Sequence, residues 1–588
     1  MKQKTAQQGF LRGAAILTAG VFLVKLLGAL FKIPLNWIIG EDGMGYYTTA
    51  YSFYAPVYSL ATAGFPVAVS RLTALCCSQK RYGEIRRIHQ VSIPLFLAAG
   101  LLGMMVLVSG SGLFARAMGN ENALPAMLLL APSVVFSCLS ASYRGCYEGM
   151  RNMIPTAVSE ILEALFRLVL GLSAAWWVLY AGMEEYRLSG TVFGQAAASL
   201  SQARAQALPW AAVGAIGGVT AGSAVSFLYL LIRYRRRGEG LGRKLPAVSS
   251  KPRSRRAIAW ELLRTAAPVG LGAVAVNLSG LVDAAFLQSR IMGLLAEQKL
   301  ALLAQYQGMI PAYQLENPET IPNFLFGCYG NAHTLFMVIP AVAQAFGISA
   351  LPNVTAAWSS GKKQRLEKSM ESVLRMTAAF CLPAGLGMAV MAGPLTAALY
   401  GNRSATPIVA GLLPLLAGAA VCASVSTALQ SMLQAVGRAD LPVKLLSAAL
   451  VLKTLLSWYL TGLPEWNIRG AAVGTLACYL FMMTGGFLLL KRCTGVRVFS
   501  GNVLVRPLAA SAVCCTAALC CQRMLELAQV QSRLATVGAV ACAAAVYGLC
   551  VPVFGILRRE ELIRLPGGQK IGKLLAKRDN PRGNGEFP

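Results

Sequence analysis

VSIPLFLAAGLLGMMVLVSGSGL, residues 91–113, contains no ionisable side chain. At about 1.5 Å per residue, a helix of that length crosses a hydrocarbon core of about 30 Å. Residues 123–141 and 534–553 read the same way. Of the 588 residues, 56% are hydrophobic and 13% charged, where an average soluble domain has about 25% charged. The chain therefore reads as an all-α polytopic membrane protein. Its first apolar segment is too long for a signal peptide and lacks a clear small-residue cleavage site, so it reads as a retained span.

Hydropathy predicts about 14 transmembrane helices: 11–33, 46–75, 91–114, 123–143, 155–181, 209–232, 265–289, 328–352, 376–400, 407–434, 443–461, 470–490, 507–522 and 534–557. With the amino terminus cytoplasmic, 39 of the 53 Lys and Arg residues fall on the inner side and 8 on the outer. That asymmetry recurs from loop to loop and assigns both termini to the cytoplasm. It also accounts for the net charge of +29. The basic block from Arg233 to Arg256 has no aromatic interleaving, so it reads as an orienting, lipid-facing linker and not as a nucleic-acid site.

The 15 cysteines lie mostly alone in apolar runs. The pairs Cys76-Cys77, Cys514-Cys515 and Cys520-Cys521 lack metal-ligand spacing, and the chain has only His89 and His333, so neither a metal site nor a disulfide framework is expected.

Six basic residues remain within or at the ends of spans. Lys32, Arg71 and Arg290 lie near predicted ends, where long side chains reach the interface. Lys25, Arg167 and Lys453 lie about 15–20 Å deep. Three acids accompany them. In SEILEALFRLVLG, residues 159–171, Glu160, Glu163 and Arg167 share one helix face. Asp283, in AVNLSGLVDAAFLQ, either pairs with a base across the lobes or binds a coupling cation. Asn277, Gln344, Gln430 and Gln434 either line a cavity or bond between helices. The outer segment 290–327 is longer than its counterparts and is either a cap or an inert connection.

The chain repeats itself. CYEGMRNMIPTAVSEILEALFRLVLG from Cys146 corresponds to LQAVGRADLPVKLLSAALVLKTLL from Leu433, at an offset of about 287 residues that brings Arg167 within one position of Lys453. YSFYAPVYSLATAGFPVAVS from Tyr51 pairs more loosely with AHTLFMVIPAVAQAFGISALPNV from Ala332. The expected organisation is an N-terminal lobe (1–232), a basic cytoplasmic linker (233–264), a pseudo-symmetric C-terminal six-helix lobe (265–490), two extra helices (491–557) and a basic cytoplasmic tail (558–588). A pathway between two such halves is the arrangement of transporters built from parallel repeats.

FLVKLLGALFKIPLNWIIGEDGMGYYTTAYSFYAPVYSLATAGFPVAVSRLTAL, with SYRGCYEGMRNMIPTAVSEILEALFRLVLG, resembles the stage V sporulation protein B branch of the multidrug/oligosaccharidyl-lipid/polysaccharide (MOP) exporter superfamily, which includes the MurJ-type lipid II flippases. The resemblance implies a bacterial cytoplasmic-membrane flippase with two six-helix lobes, acting by alternating access on a polyprenyl-pyrophosphate-linked glycan among membrane lipids. It further implies a cationic cavity, with Lys25 on a basic position of the first span where Arg is usual and Lys32 displaced by one residue. Neither catalytic residues nor cofactors are expected, and a monomer suffices. The substrate set is Lys25, Arg167 and Lys453, with Lys32 and Arg71; Asp283, Glu163 and Glu160 are candidates for gating or ion coupling. The alternative is a cation-coupled drug or metabolite antiporter of the same superfamily. A glycan polymerase or ligase is disfavoured because Glu297, Glu316 and Glu319 in the longest outer segment have no matching base or metal motif.

Overall fold

The computed structural model describes residues 10–79, 81–238, 253–438, 440–496 and 501–557. Residues 239–252 of the basic linker and the whole of the basic tail lie outside the described residues. The first half contains α1 (Phe10–Ser59), α2 (Phe65–Ser78), α3 (Tyr82–Ala117), α4 (Leu124–Leu130), α5 (Pro132–Gly149), α6 (Ile154–Ser189), a hairpin of β1 (Thr191–Val192) and β2 (Gln195–Ala196), and α7 (Leu200–Arg237). The second contains α8 (Arg255–Glu297), α9 (Lys299–Gln305), α10 (Ala312–Glu316), α11 (Ile321–Ser359), α12 (Lys363–Val390), α13 (Ala392–Tyr400), α14 (Thr406–Ala435), α15 (Asp440–Thr461), α16 (Asn467–Thr494), α17 (Gly501–Leu527) and α18 (Ser532–Val553).

Thirteen helices among the described residues are long and apolar enough to cross a membrane. The spans expected at 11–33 and 46–75 differ most from the structure. They correspond to two helices within α1 that meet at Gly40 (φ 66°, ψ −171°) with no loop between them, and the second continues through a π-helical turn, Leu60–Gly64, into α2. Hydropathy drops across the polar stretch around Gly40, but helix hydrogen bonding resumes directly after a single glycine takes the left-handed φ.

The chain packs as two compact units. One comprises Met1–Ala341, Leu399–Leu416 and Val443–Cys478; the other comprises Val342–Ala398, Ala417–Pro442 and Tyr479–Pro588. In the first, α6 lies along α7 and α1, α5 packs on α2 and α3, and α8 runs against α1 and α2. In the second, α17 packs on α12 and α18.

The α6–α7 contact is made close by a stripe of Gly214, Gly218 and Gly222, spaced four residues apart on α7. A Cβ on Gly218 would collide with the Gly171 backbone, and one on Gly222 would stand 2.6 Å from the Glu163 carbonyl oxygen. Gly218→Val is therefore expected to push the helices apart and to lower stability by about 1–3 kcal/mol, read as a lower unfolding temperature in detergent. An unchanged temperature would show that the two helices separate freely.

Local chemistry sets the ends of these helices. Ser199 and Ser254 cap α7 and α8 by accepting from the amides of Gln202 and Ala257, and Gly190 closes α6 in the left-handed region. Arg253, the last basic residue before α8, is held by acids: its guanidinium bonds buried Glu84 at 2.5 Å and Glu261 at 2.7 Å.

Candidate functional site

The i, i+3, i+7 spacing of Glu160, Glu163 and Arg167 puts them on one face of α6, as expected. Their principal partner is a residue the sequence reading placed in a loop. Arg144 lies in α5 and is 9% exposed. Its Nη2 donates to Glu163 Oε2 at 3.0 Å and to Ser226 Oγ at 2.8 Å, its Nε to Ser159 Oγ at 2.9 Å, and Glu160 lies 3.9 Å away. Hydropathy ended a span at 143 because Arg144 is charged. The buried carboxylates of the next helix remove the cost of its charge, so α5 continues to Gly149. The available signal was the excess of acids on α6: two carboxylates on one face with one arginine call for a second cation.

Arg167 is consequently the looser partner. Its Nη2 stands 3.8 Å from Glu163 Oε1, its side chain is 19% exposed, and its Nε has no hydrogen-bond partner. Glu163 Oε1 instead accepts from Ser223 at 3.3 Å and from the Tyr58 hydroxyl at 3.4 Å. Tyr58 ends a ladder on one face of α1, with ring centroids 5.9 Å apart for Tyr47 and Tyr51, 5.7 Å for Tyr51 and Tyr54, and 5.0 Å for Tyr54 and Tyr58. Tyr47, Tyr51 and Tyr58 interact electrostatically with Arg167. The half-buried Lys32 lies within electrostatic range of Arg167 and of His333. Lys32 thus joins Arg167, while Lys25 stands exposed on α1 and Arg71 exposed on α2.

The repeat has a geometric counterpart. The Asn152 amide donates to the Tyr147 carbonyl and that of Arg438 to the Leu433 carbonyl, the same closure at both helix ends. The left-handed residues there are Arg151 (φ 59°) and Gly437 (φ 85°). Both closures repeat at a spacing of 286 residues (151 to 437, 152 to 438), the spacing that separates Arg167 from Lys453.

Equivalent register does not give equivalent surroundings. Lys453 is 2% exposed; its Nζ donates to Asp283 Oδ2 at 2.7 Å and to Ser279 Oγ at 2.7 Å, and the Tyr329 hydroxyl donates to the same Asp283 oxygen at 2.9 Å. Lys453 is therefore not an open cation beside Arg167, as its depth had suggested. Asp283 does pair with a base, but one from its own sequence half, not one from across the halves.

Several peripheral expectations change as well. Arg290 does not simply extend to an interface: its guanidinium lies over the Trp458 ring at 4.8 Å. Asn277 and Gln430 each donate within their own helix, to Ala273 O and Ser426 Oγ, and not across to a neighbouring one. The segment 290–327 is tied to the rest of its unit: Gln314 donates to Asp42 Oδ2 at 2.5 Å and the Tyr306 hydroxyl bonds Asn467. Among the described residues no His, Cys, Asp and Glu side chains group as a metal site.

The family model described as Polysaccharide biosynthesis protein matches residues 10–355, and that described as Lipid II flippase MurJ matches residues 332–543. The chain is 24% identical to the Lipid II flippase MurJ of Bacillus subtilis, over 96% of this chain and 98% of that one. It is 23% identical to Stage V sporulation protein B of the same organism, over 97% and 100%. Its fold is similar to that of a Lipid II flippase MurJ in an inward closed conformation, with TM-score 0.62, 11% identity, and 92% and 98% coverage. It is also similar to an inward-facing multidrug resistance MATE family transporter of the MOP superfamily, with TM-score 0.57, 15% identity, and 84% and 96% coverage.

Proposed function

Because the chain belongs to the polysaccharide biosynthesis protein family, we propose that it is a flippase for a polyprenyl-pyrophosphate-linked glycan, lipid II or a related wall or polysaccharide precursor. The observation that carries this reading is the state of Arg167. A guanidinium that is 19% exposed and held only loosely by Glu163 at 3.8 Å, near a second cation and a tyrosine ladder, offers charge and directed donors to an anion. A diphosphate entering hydrocarbon loses its hydration at a cost of many kcal/mol, and cationic donors at membrane depth replace that water. The tyrosines provide hydroxyls and apolar faces for the attached sugars. No bond is made or broken in such a transfer, so no catalytic group is required. Both termini are cytoplasmic in this scheme, substrate moves from the inner to the outer leaflet by alternating access, and one chain suffices.

Lys32 and Arg167 form the core of the proposed substrate set, with Lys25 and Arg71 on the approach; Glu163 positions Arg167, and Glu160 helps to hold Arg144, which in turn holds Glu163. The antiporter reading requires an acid open to its coupling ion. Asp283 is already occupied by Lys453 and Tyr329, which favours the flippase.

Arg167→Ala is expected to reduce lipid II flipping in reconstituted vesicles by about ten- to hundredfold, the equivalent of about 1.5–3 kcal/mol for charged hydrogen bonds. Arg144 still holds Glu163 in that variant, so folding is retained. Arg167→Lys is expected to recover part of the rate, because a point charge replaces a fork. Wild-type flipping in Arg167→Ala would overturn the assignment.

A further inference from the structure

Four connections meet at one end of the first unit: the break near Gly40, the turn before α4, the β1–β2 hairpin with the start of α7, and the α9–α10 segment. They enclose a cavity of about 270 Å³ lined by Asp42, Tyr46, Asn122, Gln206, Trp210 and Tyr313, among others. No Lys, Arg or His lines it, so it is unsuited to a phosphate. Its chemistry is instead mixed. Carboxylate and amide groups supply acceptors and donors together, and three aromatic rings supply apolar faces.

The walls are tied down. Glu185 accepts from the amides of Phe193 and Gly194 at 3.0 Å each and from Thr191 Oγ1 at 2.9 Å, which holds the hairpin. Gln314, 2% exposed, donates to Asp42 Oδ2. Gln206 donates to the Ala196 carbonyl at 3.3 Å, while its own Oε1 is buried and accepts no hydrogen bond. Gln206 therefore stands in the cavity wall with one oxygen whose hydrogen-bonding capacity the protein leaves unused.

We propose that this cavity is a saccharide subsite. A sugar ring presents hydroxyl donors and acceptors around its edge and an apolar C–H face, which matches amides and carboxylates interleaved with aromatic rings. All four connections are outer segments in the topology read from the basic residues. The ligand is therefore the glycan head group as it emerges from the membrane; that identification rests on the flippase reading, whereas the saccharide site itself does not.

The test is calorimetric titration of the full chain in nanodiscs with two soluble probes, N,N′-diacetylchitobiose and cellobiose. Saturable binding of at least one is expected, weakened about three- to tenfold by Gln206→Leu and by Trp210→Ala. Trp210→Phe, which keeps an aromatic face, is expected to bind within about twofold of wild type. Unfolding temperatures are recorded alongside, and Gln206→Leu is the decisive variant if Trp210→Ala fails to fold. Absence of saturable binding, binding indifferent to both substitutions, or binding that requires added calcium would overturn the proposal. Lipid II flipping is measured on the same samples. Flipping without saccharide binding removes the subsite and leaves the flippase; binding that responds to the variants, in a chain that moves no lipid II, removes the flippase and leaves the subsite.

Discussion

Lys453→Met is expected to destabilise the folded chain by about 3–5 kcal/mol, the cost of leaving a buried carboxylate without its counter-charge. Lys453 and Asp283 are 2% and 3% exposed and meet at 2.7 Å. With the ammonium gone, Asp283 Oδ2 keeps only the Tyr329 hydroxyl, and Oδ1 already has no hydrogen-bond partner. Thermal unfolding in detergent measures the loss. Adding Asp283→Asn removes the stranded charge and keeps an acceptor for Tyr329, so the double variant is expected to recover most of the stability; the deviation from additivity is the pair's coupling. A single variant as stable as wild type would show that water reaches the pair. The same double variant decides the role of Lys453 in transport. If it folds and flips lipid II at the wild-type rate, Lys453 leaves the substrate set; a loss of more than about tenfold would retain it as a contact worth about 1.4 kcal/mol or more.

Arg144→Met is the second large effect. Its guanidinium bridges Glu163, Glu160, Ser159 and Ser226, and its loss leaves Arg167 as the one cation in ion-pair range of the buried Glu163 among the described residues and takes from Glu160 its ion-pair partner. The expected destabilisation is again about 3–5 kcal/mol. Transport is expected to fall further than stability, because Arg167, now the remaining cation for Glu163, is drawn from the substrate into the ion pair. Adding Glu163→Gln separates the two effects: it relieves the stranded charge and releases Arg167, so both stability and flipping are expected to rise toward wild type. Flipping that stays low while stability returns would make Arg144 itself a substrate contact.

Much of the fold was legible because membrane insertion is written locally. An uncharged run such as 91–113 has few stable alternatives to a spanning helix, and it appears within α3. The repeat was visible as Gly and Pro around a polar turn, and the structure shows the shared closure behind it. The division between the first two apolar segments was legible as a drop in hydropathy, although hydropathy alone does not show that the two helices meet at the single residue Gly40 with no loop between them.

The site divides along the same line. The sequence by itself determined which α6 residues share a face, because a period of 3.6 depends on neighbours a few positions away. It also determined that Arg167 and Lys453 hold equivalent positions in the repeat, at the 286-residue spacing that the two helix closures share. Only the tertiary structure decided their fates. The carboxylate that neutralises Lys453 lies 170 residues away on α8, and the arginine that takes Glu163 lies 19 residues away on α5. Counter-ion choice inside a membrane is set by which helix faces meet in three dimensions, where a bare charge is costly and the nearest opposite charge lowers that cost. Two cations in equivalent register therefore differ in availability, Arg167 loosely held and Lys453 closed.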